Sequence, residues 1–245
     1  MIPRLYIPQG VRPGERVALD EAERHRLTRT LRLRVGDPVR VFHESGGEWR
    51  AVIREAGPPM ELEVLEHLSD GRESPLRVTL VLGLTKSGAI EVAVQKAVEV
   101  GADTLIPLLT RYGVSRPDPH QAENKLRRLQ RIAVEAAQQC GRTRVPTLHP
   151  LVEWPQLATL LPEGPRLLFW EKVGQEGARL SDLPPPRERV TLLVGPEGGL
   201  TGEEVRFAQE ELQFQLVTLG PRILRAETAA LVAATACQLL WGDMG

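Results

Sequence analysis

Apolar and polar positions change rhythm along the chain near residue 70. Before it, residues 17–19, 38–42, 49–54 and 61–68 alternate or run apolar in short pieces separated by Gly-Asp, Gly-Gly and Gly-Pro-Pro. This is the punctuation of a small β-barrel. One helix interrupts the strands: Asp20 can cap it, and Leu27 and Leu31 lie on one face while Arg24, Arg29 and Arg32 sit elsewhere. Residues 69–75 are polar and break structure, which places a domain boundary there and divides the chain into 1–70 and 75–245.

Beyond the boundary, strands alternate with helices. The pattern predicts strands at 76–82, 103–109, 166–170, 189–194 and 215–219, and helices at 89–100, 121–139, 203–211 and 227–241. Such alternation predicts an α/β domain with a mostly parallel sheet covered on both faces. The stretch 141–165, with Pro146, Pro150, Pro155 and Pro162, is expected to be irregular.

Two strand ends are chemically distinctive. Val194-Gly195-Pro196-Glu197-Gly198-Gly199-Leu200-Thr201 and, twenty residues on, Leu219-Gly220-Pro221-Arg222-Ile223-Leu224-Arg225-Ala226-Glu227-Thr228 each stop an apolar run abruptly at glycine and proline. Open α/β sheets bind small molecules at the carboxyl ends of strands, where backbone N–H and C=O groups are bare and missing side chains permit close approach. Thr201 and Glu204 fit a capping box, so Gly198-Gly199 is a tight link from strand to helix. Neither corner is a phosphate loop, and Glu197 inside the first would repel a pyrophosphate. A nucleoside or amino-acid-like ligand fits better.

Charge adds a second kind of partner. The chain's net charge is -1, yet six arginines (24, 26, 29, 32, 34 and 40) face one acid, Asp37, between residues 24 and 40. A basic stripe on a near-neutral protein predicts a localised polyanion site. Only 4% of residues are aromatic, so shape and arginine contacts are expected to outweigh stacking. Cys140 and Cys237 are too few for a disulfide framework, which points to a reducing, cytoplasmic compartment. The five histidines show no ligand spacing, so no metal is expected. No stretch approaches the roughly 20 apolar residues of a membrane span, so a soluble protein with no membrane partner is predicted.

Gly195-Pro196-Glu197-Gly198-Gly199, followed by Leu219-Gly220-x-Arg222-x-Leu224-Arg225-x-Glu227-Thr228-Ala229, resembles the C-terminal signature of the SPOUT methyltransferases. More narrowly it is similar to the bacterial 16S ribosomal RNA uracil-N3 methyltransferases. The likeness runs through the chain: Pro3-Arg4-Leu5-Tyr6, His25-Arg26-Leu27 to Gly36-Asp37, Lys86 through Gln95-Lys96-Ala97 to Gly101, and Glu135-Ala136 through Gly141-Arg142 to Val145-Pro146. The segment 111–115 is a looser match.

The resemblance implies an N-terminal PUA-like RNA-binding barrel and a C-terminal SPOUT domain whose end forms a trefoil knot. It further implies S-adenosylmethionine as cofactor, 16S ribosomal RNA or the small ribosomal subunit as partner, and a homodimer. On it, the cofactor is expected against Leu168, Phe169, Val194, Gly195, Pro196, Glu197, Gly198, Gly199, Leu219, Gly220, Ile223, Leu224 and Thr228. Arg225 is the candidate to steady the uridine anion, and Glu227, or less favourably Glu197, to accept its proton. Arg4, Arg24, Arg29, Arg32, Lys86 and Arg142 are the candidate RNA contacts. Two rivals remain open on the residues alone: a SPOUT ribose 2'-O-methyltransferase and a non-catalytic RNA-binding ribosome-assembly factor.

Overall fold

The computed structural model describes residues 2–43, 46–69, 71–85, 87–114, 116–173 and 177–245. The chain divides into two compact units, Met1–Glu73 with Ala137–Val145, and Ser74–Ala136 with Pro146–Gly245.

The first unit carries β1 (Arg4–Tyr6), β2 (Arg16–Leu19), β3 (Pro38–Phe42), β4 (Glu48–Glu55) and β5 (Met60–Leu68). They form one sheet in the order β1-β3-β4-β5-β2. Only β1 and β3 run parallel. Period-two alternation sends Val39, Val41, Trp49, Ala51, Ile53, Leu62 and Val64 into one apolar core. Two register shifts along β4 and β5 bend the pair locally. The pattern gave no sign of β1, because three residues are too short to show alternation.

Asp20 caps α1 (Glu21–His25) by accepting from the Glu23 backbone N–H at 2.8 Å. The helix continues as a π-helical turn, Arg26–Thr30. Leu27 is fully buried, whereas Leu31 is 41% exposed. The two were expected on one face; the wider π turn rotates Leu31 away from the position that i,i+4 spacing gives it in an α-helix.

The second unit holds a seven-stranded sheet ordered β10-β12-β9-β11-β6-β7-β8. Its strands are β6 (Arg77–Gly83), β7 (Ala102–Leu108), β8 (Thr147–Leu148), β9 (Arg166–Phe169), β10 (Ala178–Arg179), β11 (Arg189–Val194) and β12 (Gln215–Thr218). Every pairing is parallel. The helices are α2 (Ser87–Glu99), α3 (Pro119–Cys140), α4 (Trp154–Leu160), α5 (Gly202–Glu210) and α6 (Ala226–Trp241). Leu157 of α4 and Val205 and Ala208 of α5 pack on Val81, Ile106, Leu168 and Leu193. The alternate residues Leu80, Leu192 and Val194 are buried too, and α2 and α6 lie against β6, β7 and β11. Burial on both faces explains the unbroken apolar runs of these strands.

Helix α4 and strand β8 lie in the stretch expected to be irregular. Proline misled the reading there: Pro155 sits in the first turn of α4, where its missing N–H is no loss. Glu153 and Gln156 complete a capping box at the same end.

Candidate active site

The carboxyl ends of the adjacent strands β11, β9 and β12 open on one cavity of about 350 Å³. Its walls are residues 169–171, 194–199 and 217–226, with Ala229 of α6. Both glycine corners predicted from the sequence therefore face the same space.

The first corner is held tight on all sides. The Gly199 N–H donates to the Pro196 carbonyl at 2.9 Å, closing the turn. Gly199 has φ +74°, a left-handed conformation that suits glycine, and a Cβ there would meet the Glu171 carboxylate at 2.5 Å. Thr201 and Glu204 make the predicted capping box, fixing the start of α5. At the second corner Gly220 has φ +100°, and its N–H donates to Thr218 Oγ1 at 3.1 Å.

Charge on the walls is unspent. Arg222 and Arg225 line the cavity, as do Glu171 and Glu197, and none of the four has an ion-pair partner among the described residues. Ile223 projects an 81% exposed side chain into the same space. A ligand carrying a carboxylate, a positive centre and an apolar ring would satisfy all three features. The volume lies within the usual range for small-molecule sites.

Most of the expected cofactor residues line this cavity: Phe169, Val194, Gly195, Pro196, Glu197, Gly198, Gly199, Leu219, Gly220, Ile223 and Leu224. Leu168 does not. Strand alternation turns it into the core beneath α4 and α5, where it is fully buried. Thr228 sits exposed on α6 away from the wall. Of the candidate chemical groups, Arg225 and Glu197 line the cavity and Glu227 does not. One Glu227 carboxylate oxygen, Oε2, is buried without a hydrogen-bond partner among the described residues.

Lys125 is a cation that the sequence gave no reason to choose. It extends from α3 and donates to the Thr85 carbonyl, just beyond β6, at 3.3 Å. Burial pushes its ammonium below the ordinary lysine range, while Glu91 and Glu197 pull the other way. Glu91 is already gripped by Arg128, with N–O distances of 2.8 Å to both carboxylate oxygens.

The candidate RNA contacts separate into two classes. Arg29 and Arg32 are exposed and unpaired among the described residues, and Arg24 is tied to Glu21. Arg4 and Arg142 are interior groups. Arg4 pairs with Glu48 at 2.5 Å and donates to the carbonyls of Ala137, Gln138 and Arg142, completing the end of α3. Arg142 is 6% exposed and pairs with Glu73 at 2.7 Å. Both were expected to contact RNA; carbonyls at the end of α3 and the carboxylates of Glu48 and Glu73 engage them instead. Lys86 lies outside the described residues. Among the described residues no group of three or more His, Cys, Asp or Glu is placed to hold a metal, and no helix is long and apolar enough to cross a membrane.

Residues 72–238 match a family model described as an RNA methyltransferase domain. A ribosomal RNA small subunit methyltransferase E from Synechocystis sp. is 38% identical over 223 residues, covering 89% of this chain and 71% of that protein. The protein of the same name from Bacillus subtilis is 31% identical over 233 residues, covering 90% of each. Among solved structures, a ribosomal RNA small subunit methyltransferase E from Neisseria gonorrhoeae bound to S-adenosylmethionine superposes with a TM-score of 0.91 at 31% identity over 100% of both chains. A putative methyltransferase from Legionella pneumophila, also in complex with that cofactor, gives a TM-score of 0.91 at 29% identity over 100% of both. With a cavity at its parallel strand ends and relatives matched over nearly its whole length, this chain belongs to the RNA methyltransferases of the ribosomal RNA small subunit methyltransferase E family.

Proposed function

We propose that the protein transfers a methyl group from S-adenosylmethionine to N3 of a uridine in 16S ribosomal RNA. The observation that carries this reading is the cavity with unspent Arg222, Arg225, Glu171 and Glu197, in a chain that superposes on a cofactor-bound relative end to end. The cofactor supplies a methyl group on a positively charged sulfur. Arg222 would hold its carboxylate and Glu171 its ammonium, and Ile223 and Leu224 would cover its adenine. Backbone N–H and C=O groups at the two corners complete the hold.

On the acceptor, the N3–H bond must break while the N3 electron pair forms the new bond to carbon and the carbon–sulfur bond releases its pair to sulfur. We assign the proton to Glu197, supported by its place on the cavity wall, in preference to Glu227. Arg225 steadies the negative charge that spreads onto the uracil oxygens. Alignment of donor and acceptor does the rest.

The reading includes a PUA-like RNA-binding role for the first unit, in which Arg29 and Arg32 contact phosphates, with Arg24 beside them. It also includes a trefoil knot through the segment 194–226 and a homodimer in a cytoplasmic setting. Val92 on α2, with Val232, Leu239 and Leu240 on α6, are exposed apolar groups that suit a second copy. Incubation with labelled cofactor and small-subunit RNA or particles, followed by mass spectrometry of the nucleosides, tests the chemistry. The expected product is 3-methyluridine; a 2'-O-methylated nucleoside, or none, overturns it.

A further inference from the structure

Beside the first glycine corner lies a surface that the cofactor reading does not use. Tyr112 is 57% exposed, and no other Phe, Tyr or Trp among the described residues is exposed. Its backbone is pressed onto the corner: a Cβ on Gly198 would lie 2.7 Å from the Tyr112 carbonyl oxygen and 2.8 Å from its Cβ. The turn that carries it is fixed at several points. The Arg111 N–H donates to Glu204 Oε1 at 2.8 Å, the Gly113 N–H to the Thr110 carbonyl at 3.3 Å, and the Val114 N–H to the Leu84 carbonyl at 3.3 Å. A ring with two rotatable bonds is thus held out to solvent from an anchored backbone, next to the cofactor cavity.

The groove that Tyr112 lines also carries two arginines. Arg111 and Arg206 line it, both exposed and without ion-pair partners among the described residues. Its carboxylates are largely spoken for: Glu153 pairs with Arg116 at 2.6 Å, and Glu204 accepts from the Arg111 N–H, the Trp154 indole and Thr201. Glu203 alone stays free among the described residues. An exposed ring flanked by unpaired guanidiniums is the arrangement that holds a nucleic-acid strand by base stacking and phosphate contact. A single exposed apolar residue needs no explanation by itself. Here the ring and its anchored turn press on Gly198, one residue from Glu197, and the two cations line the same groove.

We infer that Tyr112 is a stacking platform for a nucleobase of the substrate RNA, and so a positioning residue for the acceptor strand. The inference rests on the proposed function, and its test is separable from it. Affinity for a 16S ribosomal RNA transcript, affinity for S-adenosylmethionine and thermal midpoint are measured for wild type, Tyr112→Ala and Tyr112→Phe. Tyr112→Ala is expected to weaken RNA binding about 10-fold and to raise KM for RNA with little change in kcat, whereas Tyr112→Phe stays within about twofold of wild type. Cofactor affinity and thermal midpoint stay unchanged in both. Wild-type RNA affinity in Tyr112→Ala overturns the inference. So does a loss that appears together with lost cofactor affinity, because Tyr112 would then act only as a prop for Gly198. A wild-type protein that binds RNA and cofactor yet yields no 3-methyluridine defeats the functional reading, while the binding comparison still decides the role of Tyr112.

Discussion

Gly83, the last residue of β6, touches Pro196 so closely that a Cβ on the glycine would stand 2.5 Å from the proline nitrogen. The same added atom would meet the Gly195 carbonyl carbon at 2.8 Å. Both neighbours are backbone, so neither can swing aside. The first glycine corner is thereby seated on the strand beside it, and its shape depends on a residue outside the corner.

Gly83→Ala tests that seat. Forcing a methyl group into backbone should cost about 1 to 3 kcal/mol and displace the corner. Calorimetric titration with S-adenosylmethionine should show weakened binding, and thermal unfolding a lowered midpoint. Unchanged values for both would mean the corner is free to shift.

Ile223 offers the complementary experiment. Its side chain is 81% exposed on the cavity wall, so it contributes little to folding and would be covered by a ligand held there. Ile223→Ala should weaken cofactor affinity by about 1 to 2 kcal/mol, from the apolar area left wet, with an unaltered thermal midpoint in the absence of ligand. Equal affinity in the two proteins would remove Ile223 from the binding surface.

Glu73 and Arg142 predict a stability effect with no counterpart at the cavity. Glu73 Oε2 accepts from Arg142 Nη2 and Nε at 2.7 and 3.1 Å, and Oε1 accepts from the Thr143 and Arg144 backbone N–H groups at 2.8 and 3.1 Å. Glu73→Gln takes the Glu73 negative charge away from a guanidinium that is only 6% exposed. The expected loss is about 3 kcal/mol. In a chain of this size that corresponds to a midpoint lowered by roughly 6 to 12 °C.

The exposed arginines should behave in the opposite way. Arg29→Ala with Arg32→Ala is expected to leave stability unchanged and to flatten the salt dependence of RNA binding by about one logarithmic unit per arginine. An unaltered slope would show that the stripe touches no phosphate. Arg142→Ala should instead unfold at lower temperature, because its charge serves the fold.

Two titratable groups give pH-dependent signatures. Burial pushes the Cys237 thiol up to about 12, so at pH 8 only about one molecule in ten thousand carries the reactive thiolate. Iodoacetamide should label the partly exposed Cys140 in the folded protein and reach Cys237 only on unfolding; equal labelling would contradict this burial. Burial also holds His149 below its ordinary value of 6.5. The unfolded chain then takes up a proton first as pH falls, so this contribution to stability is complete above 6.5 and is lost below it. Denaturant unfolding at pH 7.5 and pH 5.5 should show a smaller acid loss in His149→Gln than in wild type.

Much of this was legible in sequence because it is local. Alternation gave β3, β4 and β5, apolar runs gave the buried parallel strands, and Thr201 with Glu204 gave the start of α5, each from neighbours a few positions apart. The glycine and proline corners announced a ligand site because glycine is needed where backbone must turn sharply or approach closely. What the sequence withheld depended on distance in space. Arg4 and Arg142 read as surface cations until Glu48, Glu73 and the carbonyls at the end of α3, far off in sequence, enclosed them. Leu168 and Phe169 are adjacent in one apolar run, and only the packing of α4 and α5 decided which of them faces the core and which the cavity. Lys125 and Tyr112 carry no motif at all; their meaning comes from the ends of β6 and β7 being brought to the Gly195–Gly199 corner by parallel pairing. Local pattern determines the elements and the bare corners, while tertiary packing alone decides which charges are spent on the fold and which remain for a ligand.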